Sequence, residues 1–164
     1  MNDFLEQVWL DNKVRDYLSV AGVVLFVWLL KRFISRYIAG LLYKVVQKIW
    51  KEIDRQSFVK LVVRPLGFFL AILVTVVALY KLNFPAVLNV EVYKFTVKEI
   101  VHCLGNIILI VSFTSLLIRI IDFIALILEI KANLTPDQSD NQLIVFFKDF
   151  FKVILVIIGI MLVL

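Results

Sequence analysis

Four long runs without a charged residue, 17–30, 65–80, 100–118 and 153–164, are spaced along the 164 residues. They decide the solvent in which this chain can fold. Hydrophobic residues make up 62% of the chain and charged residues 19%, against ~45–50% and ~25% in soluble domains. A soluble fold of this length exposes too large a share of its surface to hide that much Leu, Ile, Val and Phe. The runs are continuous rather than alternating, which excludes a β-barrel. The expected fold class is all-α, a polytopic membrane helical bundle with four transmembrane helices. The last run has no polar residue after it, so the expectation is that a longer protein continues beyond Leu164.

Charge sets the expected orientation. Residues 1–16 carry a net charge of −2, while 31–64 hold nine basic residues against Glu52 and Asp54, a net of +7. The positive-inside rule places 31–64 in the cytoplasm and the N-terminus outside. Positive charge follows the first apolar run instead of preceding it, so this run reads as a retained helix and not a signal peptide. Alternation then gives spans at about 14–33, 62–82, 97–121 and 143–164, with a short external loop at 83–96. The segment 119–152 is nearly balanced in charge and adds nothing to the assignment.

Local signals mark helix ends. Thr96-Val97-Lys98-Glu99 has the form of a capping box before the third run, and Thr135-Pro136-Asp137-Gln138 and Ser139-Asp140-Asn141-Gln142 repeat it before the fourth. The stretch 131–142 is therefore expected to be a turn. Beyond residue 30, apolar pairs recur every four residues through Ile49/Trp50, which predicts a half-buried continuation of the first helix. Its stripe winds by about 40° per step, and Gly40 is its expected weak point. This continuation either lies on anionic headgroups or packs on the protein's own helices. The fourth run is short alone. Adding 143–152 brings it to about 33 Å, enough for a ~30 Å hydrocarbon core, with Lys148, Asp149 and Lys152 at the cytoplasmic interface.

No enzyme site is legible. His102 and Cys103 are adjacent on a helix and point about 100° apart, so they cannot act as base and nucleophile; both read as packing residues. The single cysteine has no partner for a disulfide, and no spacing suits a phosphate loop or a metal. The expectation is no catalytic, cofactor or metal site and no nucleic-acid partner. The candidate residues are instead lipid and interface contacts: Lys31, Arg32, Arg36, Lys44, Lys48, Arg64, Arg119, Asp122, Lys148 and Lys152. Among them Arg119 and Asp122, three apart near the cytoplasmic end of the third helix, read as a local ion pair. Anionic lipid is the expected partner of the basic segment 31–64.

The segments Arg119-Ile120-Ile121-Asp122-Phe123-Ile124, Glu129-Ile130-Lys131-Ala132 and Asp140-Asn141-Gln142-Leu143 through Lys148-Asp149, followed by Lys152-Val153 and the Ile/Val-rich run, resemble the region before the pore helix in bacterial small-conductance mechanosensitive ion channels. The resemblance covers about 98–164. It implies that 97–164 is a tension-sensing helix pair and 1–82 an additional peripheral pair. It further implies a pore helix and a cytoplasmic β-domain after residue 164, a homo-oligomer, heptameric in that family, and location in the bacterial inner membrane. Members often carry Asp where Asn141 stands and Pro where Val145 stands. The alternatives are a small membrane scaffold or accessory protein, and a transporter or intramembrane enzyme, for which the buried ionisable groups and broken helices are missing.

Overall fold

The computed structural model describes residues 5–49, 54–86, 90–92, 95–133 and 139–164, with side chains throughout except at 31–42, 45–49, 91–92 and 139–140. A small antiparallel hairpin, β1 (Val8–Trp9) and β2 (Asn12–Lys13), leads into helix α1 (Val14–Ile49). Helix α2 (Arg55–Leu79) returns. A second hairpin, β3 (Glu91–Val92) and β4 (Phe95–Thr96), precedes α3 (Val97–Ala132), and α4 (Ser139–Val163) follows. The chain is thus mostly helical, as the continuous apolar runs require: a helix satisfies its backbone polar groups internally, whatever surrounds it.

The predicted capping box is present at α3. The Thr96 hydroxyl accepts the Glu99 N–H at 3.3 Å and the Glu99 carboxylate accepts the Thr96 N–H at 2.9 Å. The motif at Thr135 lies outside the described residues. At Ser139 the helix begins where the second copy of the pattern stands.

An irregular turn not expected from the sequence lies in α2. α1 continues through Gly40 as one 36-residue helix, about 54 Å long. The break in regularity is in α2, where Val59–Val63 form a π turn immediately before Pro65 and the Arg64 N–H reaches back to the Val59 carbonyl. Proline supplies no N–H, and its ring clashes with the carbonyl four residues earlier. Widening the preceding turn to an i→i+5 pattern gives that carbonyl room and lets the helix run on.

Each helix packs chiefly on its sequence neighbours: α1 on α2, α2 on α3, and α3 on α4. Small residues let α2 sit in the row, with Gly67, Ala71 and Ala78 buried on it. α3 buries a stripe at Leu116, Phe123 and Ile127, of which Phe123 and Ile127 form a core with Phe58 and Val63 of α2. The Phe58 and Phe123 rings meet edge to face at 5.5 Å. Half-buried Tyr43 of α1 joins them, its ring 6.2 Å from Phe58.

Such a row has little interior. Its accessible surface is 12255 Å², whereas a compact 19.0 kDa monomer would expose about 8,400 Å². Large side chains stand outward along every helix, including Phe26 at 62%, Leu25 at 61% and Ile108 at 51%. Two helices, Arg55–Leu79 and Val97–Ala132, are long and apolar enough to cross a membrane, and this associates the chain with one.

Candidate functional site

The uncharged runs of neighbouring helices lie side by side, which creates two rims. Phe69 of α2 and Phe113 of α3 meet at 5.3 Å between them. At one rim Tyr80 stacks on His102 at 4.5 Å; at the other Phe58 meets Phe123. From Tyr80 back to Arg64 is about 24 Å, and from His102 down to Arg119 about 26 Å. Both approach the ~30 Å of a hydrocarbon core.

The rim around Tyr80 is held chiefly by hydrogen bonds between neutral groups, with a Lys13–Glu6 ion pair of 2.6 Å at the first hairpin. Asn12 is 3% exposed. Its amide donates to the Asn83 carbonyl at 2.7 Å and accepts the Asn83 N–H at 2.7 Å, an arrangement that ties the first hairpin to the end of α2. Asp11 accepts the Ala86 N–H at 2.5 Å. The price is conformational: Leu10 and Asp11 both have positive φ, 48° and 61°, which a tight hairpin turn demands and which a leucine resists. The Leu10 carbonyl is in turn held by Asn12 at 3.0 Å. Tyr80 donates to the His102 carbonyl at 3.0 Å and lies within hydrogen-bonding distance of the Asn106 carboxamide oxygen, 3.1 Å. Gly105 leaves room for it, since a Cβ there would stand 2.6 Å from the Tyr80 hydroxyl. His102 is thus a packing residue, as expected, whereas Cys103 is exposed.

The opposite rim is charged. Arg119 and Asp122 do approach, at 3.8 Å, but the closer partner of Asp122 is Lys152 on α4. A second ion pair, Lys148 to Glu129 at 3.3 Å, forms the next rung. Glu129 and Asp122 are seven apart on α3 and Lys148 and Lys152 four apart on α4, so each set lies along one helix face. The expectation that the two lysines only reach headgroups is therefore incomplete: each has a carboxylate across the helix pair. The four side chains are only 21–33% exposed; Phe147 and Phe151 line the α3–α4 groove with Lys148, and their rings belong to a ladder with Phe146 and Phe150 on α4. Farther along, a Cβ on Gly159 would stand 2.9 Å from the Thr114 hydroxyl, so glycine permits the close approach of α4 to α3.

At the start of α2, Arg55, Gln56, Val59, Lys60 and Arg64 line a cleft of about 420 Å³. Arg55 and Lys60 belong to the basic block but were not singled out by sequence. Next to Arg55 in sequence, the Asp54 carboxylate caps the helix, accepting the Ser57 N–H at 2.9 Å. Hydrogen bonding from the Ser57 side chain, and then from its backbone, holds Asp54 below the usual carboxylate range. Of the other candidates, Lys44 is exposed, and the side chains of Lys31, Arg32, Arg36 and Lys48 lie outside the described ones.

Among the described residues no group of His, Cys, Asp and Glu could hold a metal ion. Comparison with protein-family models, curated proteins and solved structures finds no match.

Proposed function

We propose that this chain is the lipid-facing, tension-sensing part of a mechanosensitive ion channel subunit in the bacterial inner membrane, with four spans and the N-terminus outside. The observation that carries the reading is the row itself. Helices that pack on sequence neighbours present apolar side chains to lipid along their length, and a row can change its in-plane area by tilting without opening a buried core. Tension then acts as a population shift, favouring whichever arrangement occupies more area. The sequence resemblance supplies the channel assignment, the homo-oligomer and the pore outside 1–164.

Two spin labels test it, at Leu25→Cys and Ile108→Cys in a Cys103→Ser background. Lysophosphatidylcholine added to one leaflet of proteoliposomes should shift the distance distribution between α1 and α3. An unchanged distribution would favour a static scaffold or accessory protein. Orientation is checked separately with an impermeant thiol reagent on cells: labelling at Gln56→Cys but not at Asn2→Cys would invert it.

A further inference from the structure

We propose that the cleft formed by Arg55, Lys60 and Arg64 binds the phosphate of an anionic phospholipid in the leaflet at the charged rim. The inference rests on the membrane placement in the preceding reading and adds a specific ligand to it.

The π turn makes the cleft. In a regular helix the nine steps from Arg55 to Arg64 turn by about 900°, which would put the two guanidiniums on opposite faces. A π turn accommodates one extra residue, removing about 100° of that rotation. Arg64 is thereby swung toward the side of Arg55, and Lys60 lies within the turn itself. All three side chains are exposed and line one cleft. Its volume falls in the ~300–1,000 Å³ range of small-ligand sites.

Phe58 and Val63 are buried in the core with α3, while Arg55, Lys60 and Arg64 are exposed. Among the described residues no carboxylate forms an ion pair with Arg55, Lys60 or Arg64. The uncharged run of α2 begins at Pro65, the residue after Arg64. Cations at that level meet headgroups, and guanidinium matches phosphate oxygens in geometry and charge. A membrane lipid fits better than a soluble anion because its acyl chains would continue along the helix past Phe68, which is 51% exposed and one turn from Arg64 on the same side.

Native mass spectrometry of the whole chain released from nanodiscs containing phosphatidylglycerol and phosphatidylcholine tests this. The variant Arg55→Gln/Lys60→Gln/Arg64→Gln should lose phosphatidylglycerol affinity by about fivefold per charge removed, with phosphatidylcholine retention unchanged. Lys81→Gln, at the other rim, should change neither. If the triple variant is not recovered folded, Lys60→Gln alone should show the single fivefold step. Undiminished phosphatidylglycerol binding, or equal loss of both lipids, would overturn the site. Displacement of the lipid by inorganic phosphate would assign the cleft to a free anion and overturn the lipid. Because the readout is lipid retention, failure here leaves the label-distance test of tension sensing intact.

Discussion

The two rims of the helix row differ in what ties one helix to the next. Around Asn12, Asn83, Tyr80 and His102 the contacts are neutral, and the Asn12–Asn83 pair exchanges two bonds of 2.7 Å. Around Asp122, Glu129, Lys148 and Lys152 the contacts are ionic and span α3 and α4, while Arg55, Lys60 and Arg64 form no ion pair among the described residues. Neutral hydrogen bonds are short-ranged and directional, so the first rim joins the N-terminal hairpin, α2 and α3 at one geometry. Charges act over longer distances and respond to what surrounds them. The second rim can therefore hold its own hairpin and still present a field to lipid.

The sharpest way to break this contrast is at Asp122. Asp122→Leu leaves Lys152 without its carboxylate in apolar surroundings. Loss of one member of a buried pair costs ~3–5 kcal/mol, and partial exposure reduces that here to about 2–3 kcal/mol. Thermal unfolding in nanodiscs should show it. Asp122→Leu/Lys152→Leu should recover most of the loss, because two well-packed apolar groups replace an ion pair at little net cost. A double variant as unstable as the single one would mean the site tolerates no apolar repacking.

At the neutral rim, Asn12→Ala removes both bonds to Asn83 and leaves the Asn83 N–H without its acceptor. An expected loss of about 2 kcal/mol should appear as faster hydrogen exchange at the end of α2, with exchange near Lys148 unchanged. Coupled change at both rims would show that the row is one cooperative unit and erase the distinction drawn between them.

Gly105→Ala tests the same rim more gently. The added methyl must displace the Tyr80 hydroxyl, with its bond to the His102 carbonyl, for about 1–2 kcal/mol. Tyr80→Phe in the same background should then cost little more. A large further loss would place the Tyr80 contact elsewhere.

The smallest effect is expected at Asp54, where Asp54→Ala removes an N-cap worth ~1 kcal/mol. Since folding lowers the Asp54 pKa, the stabilisation is present above its unfolded value and disappears as pH falls through the folded one. An acid titration of stability should show this term below about pH 4 in the wild type and not in Asp54→Ala. A difference that persisted unchanged to lower pH would show that the cap does not depend on the ionised carboxylate.

By itself the sequence determined the helical class, because runs of this length without charge must bury their backbone in helices, and it determined the cap at Thr96, because both partners lie within four residues. It also located the charged end of α3 and the basic block. It did not disclose the partners. Lys152 is thirty residues from Asp122, and nothing local says which carboxylate a lysine on the next helix will face. The same holds for Asn12 and Asn83, 71 residues apart, since their meeting depends on how α1 lies against α2. Arg55 and Lys60 were visible only as part of a charge count. Pro65 was legible as a disturbance of the backbone, but only the folded helix decided that the disturbance would be a π turn, and so which cations would share a face: a rotation of about 100° follows from hydrogen bonds, which residue spacing alone does not choose.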